Sequence, residues 1–452
     1  LESKGLKKVI ILLCFLLPAT VMWVSCGYTP SGNSQTSGVK YRAFITNNVS
    51  SGTAVASVAI LDAQNDIRAN ASPITAGNTP GMMVVTPNRA QTLVFSGSGT
   101  QSSDNLLSLI NNASEQNASH ITLPGMTESI VVSPDSSAAY IALPTAEVIG
   151  QSPGIVEAIT MNGGAVTGQV NVPAVHYMSS NHSGNRIFGF SDNSDLVSVI
   201  TPSQIGIGNA VTTMGGPGIL DRPVAAFFSS DDNTAYVVSC GAECGGTQAS
   251  LQQLDITKTP PVLVASVPVC VNGTTQCGAS EALLSGSTMY LAGSYANLSN
   301  TLPCPEQTVF SPTCGVLSVV DLTTMSVTAS GIAITDGYHN RIALGANGQL
   351  FIGARTCTQT IGTSGCLSIY NTQSFAVGSV QPGAVLIPAA NGDVTGIEPI
   401  ATRQVVYVVQ GGSLFIYDAT KDALYLNPHD SNNPGQIFGL VGNFIDVKTI
   451  DF

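Results

Sequence analysis

From residue 41 to its C-terminus the chain repeats itself about every 52 residues, and a repeat of short apolar runs leaves few ways to fold. The clearest element is a β-rich run with an aromatic near its start: YRAFITNN (41–48), TLVFSGSG (92–99), AAYIALP (138–144), RIFGFSD (186–192), TAYVVSC (234–240), TMYLAGS (288–294), QLFIGAR (349–355) and VVYVVQG (405–411). Its aromatics are Phe44, Phe95, Tyr140, Phe188, Tyr236, Tyr290, Phe351 and Tyr407, spaced 51, 45, 48, 48, 54, 61 and 56 residues apart. Phe95 stands one residue out of phase with some of its counterparts.

A second run follows each aromatic one, from VASVAILD (55–62) to SLFIYDAT (413–420), and most end on Asp, Asn or Thr, the residues that reverse a chain. A third apolar run, such as MMVVTPNRA (82–90) or VAAFFSSDDN (224–233), precedes the aromatic one and closes on a turn. Short apolar runs with turn signals every ~10 residues read as all-β. A period near 50 reads as four-stranded propeller blades. Eight units predict eight blades, with seven as the alternate count if the long insertions in units five to seven hide a miscount. The chain begins with an aromatic run and ends with IFGLVGNFIDVKTIDF (437–452). That last run is expected to supply the innermost strand of the first blade, so that the two ends close the ring.

The repeat unit (apolar strand, Ser-Pro-Asp turn, aromatic strand, VxxxD strand) resembles the YVTN-type bacterial β-propeller repeat and the lactonase-type propellers related to it. Val131-Val132-Ser133-Pro134-Asp135 through Ala139-Tyr140-Ile141-Ala142 carries the resemblance best, and Val319-Val320-Asp321-Leu322-Thr323 is another copy. The resemblance implies a propeller and, on its lactonase side, lactone hydrolysis at the mouth of a central channel. The single Trp, Trp23, lies outside the repeat, which excludes close kinship with the Trp-Asp class of propellers.

Residues 1–26 read as an address. LESKGLKK carries three Lys, Val9–Val24 is apolar but for Pro18, and Trp23-Val24-Ser25-Cys26 resembles a bacterial lipobox in which Cys26 takes the lipid. An ordinary cleaved signal peptide or an uncleaved anchor are the alternatives. Residues 27–39 read as a flexible tether and 40–452 as a single propeller domain. The expected location is the bacterial cell envelope, lipid-anchored at the outer membrane, facing periplasm or exterior.

Setting aside Cys14 and Cys26 leaves eight cysteines in four close pairs: Cys240/Cys244, Cys270/Cys277, Cys304/Cys314 and Cys357/Cys366. Their intervals of three, six, nine and eight residues do not suit zinc, so nearest-neighbour disulfides are expected ahead of metal or free thiols. On the repeat, all four pairs fall in connections that share one face, over one half of the ring. Stapled loops there suit either resistance to proteolysis or a preorganised binding surface.

Only 9% of residues are charged, with 27 acids against 15 bases. Without residues 1–26 the balance is 26 to 12, a net −14 that repels a polyphosphate backbone and excludes nucleic acid as a partner. In so uncharged a chain, Glu128, Glu281 and Glu398 are expected at or near the starts of innermost strands. His176, Arg222 and the Tyr338-His339-Asn340-Arg341 segment take comparable places. Glu128, His176, Glu281, Arg341 and Glu398 are therefore the candidate catalytic residues, able to bind a sugar-like or anionic ligand or to open a lactone by general base catalysis. The alternative is a set of charges that pair with one another in a wet channel. No HExxH, GxSxG or P-loop occurs, and Asp192–Asp195 and Asp231-Asp232-Asn233 read as turns rather than calcium loops. No cofactor is expected, and a divalent cation in the channel has no motif behind it. Seven N-x-S/T sequons occur, at Asn48, Asn70, Asn112, Asn117, Asn181, Asn272 and Asn297.

Two function classes follow. One is a non-enzymatic, monomeric envelope propeller that binds a protein or polysaccharide partner and meets the membrane only through its lipid. The other is a lactonase-like hydrolase working at the channel mouth.

Overall fold

In the second strand of each repeat both faces are apolar, so neither face can be left in water. Phe44 and its neighbours Ala43 and Ile45 point to opposite sides of one strand, and all three are fully buried. A sheet of that kind needs a neighbour on each side, and only a ring supplies one to every sheet. The computed structural model of the chain describes residues 36–49, 56–98, 104–269, 277–298, 304, 310–358, 365–372, 385–386, 392–426, 435–437 and 440–451. Val39–Phe452 form one compact unit, and Leu1–Gly38 form another of which residues 36–38 are described. Residues 1–35, which include Cys14, Cys26 and most of the segment read as a tether, lie outside the described residues.

The compact unit is an eight-bladed propeller of four-stranded antiparallel sheets. Seven blades are built in chain order from the inside out. Their innermost strands are Pro80–Val85, Ile130–Val132, Val175–Ser180, Pro223–Phe228, Glu281–Ser285, Tyr338–Leu344 and Val394–Pro399. The first blade takes its second, third and fourth strands from Arg42–Asn47, Ser57–Asp62 and Ile67–Arg68, and its innermost strand, Phe444–Thr449, from the other end of the chain. All eight aromatics of the repeat lie on second strands. Leu93 holds the third position of its strand where Phe44 and Tyr140 stand in theirs; Phe95 lies two residues further on, hence on the same face.

Eight hydrophobic clusters fill the gaps between successive blades, one to each gap. Polar groups link the blades as well. Around the channel, Met83 N donates to Asp446 Oδ2 (2.9 Å), Met178 N to Ser129 Oγ (3.0 Å) and Ala226 N to Ser179 Oγ (3.1 Å). The junction of last and first blades is the most heavily bonded by charge. Arg403 grips Asp66 with both Nη atoms (2.7 and 2.6 Å), and Tyr407 Oη donates to the same carboxylate (2.5 Å). Within the first blade, Arg42 holds Asp451 through Nε and Nη2 (2.6 and 2.7 Å) and reaches Glu115 of the second blade through Nη1 (2.9 Å).

Disulfides join Cys240 to Cys244, Cys304 to Cys314 and Cys357 to Cys366. Cys277 is disulfide-bonded too, and its expected partner Cys270 lies outside the described residues. The three described bridges span second-to-third strand connections of blades five, six and seven, and Cys277 leads into the innermost strand of blade six.

Because Arg42 clamps the terminal strand to the first, Arg42→Ala is expected to cost about 2–3 kcal/mol of stability, the scale for breaking a partly buried bidentate pair. Denaturant unfolding of the full chain measures it; a change below about 0.5 kcal/mol would show that strand pairing alone closes the ring.

Candidate functional site

Every innermost strand runs the same way along the channel, so the strand starts gather at one mouth and the strand ends at the other. Near these starts the pairing with the second strand slips, between Val175 and Tyr177, Pro223 and Ala225, and His339 and Arg341. Such bulges re-aim side chains, and here they accompany residues that line the lumen. The result is a cavity of about 470 Å³ at the mouth, lined by residues of blades one to seven that include Glu128, Tyr177, Glu281, Tyr338, Arg341 and Arg355. That size is typical of small-ligand sites.

Tyr177 of blade four and Tyr338 of blade seven meet hydroxyl to hydroxyl at 2.9 Å. They form a crossbar between non-adjacent blades, with the main cavity on one side and a pocket of about 270 Å³ on the other. His176 lines the smaller pocket and stacks on Tyr177, with ring centroids 4.3 Å apart. Its Nδ1 lies 2.9 Å from Asp192 Oδ1 and its Nε2 3.5 Å from Glu128 Oε2. The hydrogen bond to Glu128 leads in raising the imidazole above its ordinary value, with Asp192 adding to it against the cost of burial. The same contact with His176 leads in holding Glu128 below the usual carboxylate range. A folded-state rise in a histidine contributes stability fully below the unfolded value of about 6.5, lost as pH climbs through the raised one. His176 is thus held between two acids that favour its charged form.

Glu281 behaves differently. Desolvation pushes its carboxyl up to about 7, against the opposing pull of Arg341. Its limited solvent contact is with the enclosed channel, so the group pays most of the cost of leaving bulk water. A carboxyl poised there gives and takes a proton near neutral pH.

The spacing of the sequence did not reveal Glu243. The Cys240–Cys244 bridge folds Ala242–Cys244 into one 3₁₀ turn, which carries Glu243 across to blade six. There it accepts from Ser294 N (3.0 Å) and Ser280 Oγ (3.2 Å), beside Glu281. Gly278 makes the approach possible, since a Cβ there would lie 2.1 Å from Glu243 Oε2. Burial pushes Glu243 up to about 7 as well. The only sequence signal was an acid inside the shortest cysteine loop.

Not every candidate joins the mouth. Glu398 is the fifth residue of Val394–Pro399, at the far end of its strand rather than the start, where it bonds Thr449 and faces Lys448 Nζ at 3.8 Å. Arg222 is turned to Asp195 (3.6 Å) and lines the smaller pocket but not the main cavity. His339 is fully buried, with Nε2 3.0 Å from Thr335 O, and burial pushes it down to about 4. Asp231 acts within its turn, accepting from Ser229 Oγ and Asn233 N, whereas Asp232 reaches from that turn to blade four and accepts from His182 N and Ser183 N. Of the sequons, Asn112 and Asn181 are buried and hydrogen-bonded, which removes them as acceptors for a glycan. Among the described residues no three His, Cys, Asp or Glu side chains converge as a metal site.

No protein-family model and no curated protein matches the sequence. Solved structures match the fold. Kuenenia stuttgartiensis hydrazine synthase superposes with a TM-score of 0.54 at 12% identity, over 77% of this chain and 98% of that one. A dihydro-heme d1 dehydrogenase in complex with DHE gives 0.55 at 13%, over 88% of this chain and 74% of that one. The Pseudomonas aeruginosa periplasmic gluconolactonase gives 0.51 at 13%, over 91% of this chain and 99% of that one. At these identities the likeness is one of fold.

A carboxyl raised in the folded state favours folding most at low pH, and that advantage fades as pH rises from about 4.5 through about 7. Glu281→Gln is therefore expected to match the parent Tm at pH 5 and exceed it by about 2 °C at pH 8. Equal melting points at pH 8 would show that Glu281 ionises without cost.

Proposed function

We propose that this protein is an exported, lipid-anchored envelope propeller that binds a sugar-like ligand at the mouth of its central channel. The observation that carries this reading is the cavity of about 470 Å³, which combines an aromatic crossbar with fixed carboxyl and guanidinium groups. Apolar ring faces with a few convergent polar groups suit a polyhydroxylated ring. Export is supported by the lipobox-like N-terminus and by the bridged cysteines, since disulfides persist in oxidising compartments. The charge pattern favours binding over turnover, because His176 is committed to Glu128 and Asp192.

One observation favours a second reading, hydrolysis of a lactone. Glu281, pushed up to about 7 beside the cavity, has the protonation behaviour of a general base. It would take a proton from water as that water attacks the lactone carbonyl, and would return that proton to the ring oxygen as the acyl C–O bond breaks. The fold shared with a periplasmic gluconolactonase is compatible with that chemistry without assigning it.

Saturation-transfer NMR with D-glucose and D-galactose, beside titrimetric hydrolysis of D-glucono-δ-lactone, separates the two. The binding reading expects transfer to sugar ring protons that Tyr338→Ala abolishes, with lactone hydrolysis at the buffer rate. Hydrolysis well above that rate, lost in Glu281→Gln, would replace it with the hydrolase.

A further inference from the structure

Two guanidiniums line the main cavity without an ion-pair contact among the described residues. Among the described residues Arg42, Arg222, Arg403 and Lys448 are each ion-paired, whereas Arg341 and Arg355 make no ion pair. Both line the cavity from blade seven: Arg341 on the innermost strand, opposite Gly353, and Arg355 at the end of the second strand, opposite Tyr338. Arg341 donates from Nε to Thr395 O (2.9 Å) and from Nη1 to Asn340 O (2.7 Å). With the Asn340 amide assigned so that its oxygen faces Arg355, the orientation that gives both its atoms partners, that oxygen accepts from Arg355 Nε (2.7 Å) and Nη2 (3.2 Å). Asn340 therefore holds both guanidiniums, one by main chain and one by side chain. Arg341 Nη2 and Arg355 Nη1 make no hydrogen bond among the described residues.

A Cβ at position 353 would lie 2.4 Å from Val394 Cγ1, so glycine there lets Val394 of the eighth blade pack against the strand opposite Arg341. The acids around the cavity are otherwise engaged. Glu128 faces His176, and Asp446 takes Met83 N, Val447 N and Lys448. Burial pushes the Glu281 carboxyl up, and the two guanidiniums act on Glu128 across the cavity. The blade-seven wall thus presents two positive charges that no carboxylate among the described residues contacts as an ion pair.

We propose that Arg341 and Arg355 form an anion-binding fork, and that the ligand of the channel mouth is an acidic sugar whose carboxylate, as in a uronate, bridges the two guanidiniums. This rests on the sugar-binding reading above and names the class of sugar. Charge-assisted bonds from fixed guanidiniums are among the stronger polar contacts. A site built round such donors also discriminates against an analogue that lacks the acceptor.

Calorimetry on the full chain with D-glucuronate and D-galacturonate, against D-glucose and D-galactose, tests the fork. The uronates are expected to bind at least about tenfold more tightly than their parent sugars, the scale of one hydrogen bond to a charged group. Arg355→Gln is the variant of choice because Arg355 makes no bond between blades, and a thermal melt checks that it folds. It should cost the uronate at least about tenfold more affinity than the neutral sugar, with Arg355→Lys in between. Equal affinity for uronate and parent sugar overturns the fork and leaves a neutral-sugar site standing. An equal loss for both in Arg355→Gln does the same. Failure of all four sugars to bind overturns the sugar reading and the fork with it.

Discussion

Ring closure is the constraint on which everything else in this molecule depends. Its second strands are apolar on both faces, and a lone four-stranded sheet would leave those faces in water. Placing each blade between two others gives every face a partner, and the eight inter-blade clusters are the outcome. The circle has one seam in the chain, where Phe444–Thr449 pairs with Arg42–Asn47. That seam and the neighbouring eighth-to-first junction carry the bidentate pairs Arg42–Asp451 and Arg403–Asp66. Hydrophobic burial supplies the drive to close; these directional bonds fix where the ends meet.

The same closure creates the site. Eight innermost strands running in one direction give the channel two chemically different ends. At one, the bulged starts of several strands turn tyrosines, glutamates and arginines into a shared lumen. At the other, Glu398 and Lys448 neutralise each other. The disulfides sit in connections on the first of these faces, and one of them delivers Glu243 to the strand that bears Glu281. Stapled loops and a shaped mouth belong to one end of the molecule.

Much of this was legible in the sequence because a propeller is periodic. The eight aromatics marked the second strands, and the terminal FIDVKT run announced the closing strand. Close cysteine pairs read as loop staples. What periodicity could not give was register. The repeat puts Glu398 and Glu281 alike near strand starts, yet Glu281 begins its strand and Glu398 nearly ends its own. His339 and Asn340 are adjacent, but the bulge that turns Asn340 and Arg341 to the lumen buries His339 between blades. Glu243 and Arg355 were not singled out because their roles come from neighbours distant in sequence: Ser280 and Ser294 for one, Asn340 for the other.

The central claim is that the ligand sits at the end of the channel where the innermost strands begin. A crystal structure of the protein grown with D-glucuronate tests it most directly. The account predicts ligand density beneath the Tyr177–Tyr338 crossbar, with the carboxylate between Arg341 and Arg355. Density at the Glu398–Lys448 end, or only in the loops beside the Cys240–Cys244 turn, would contradict it.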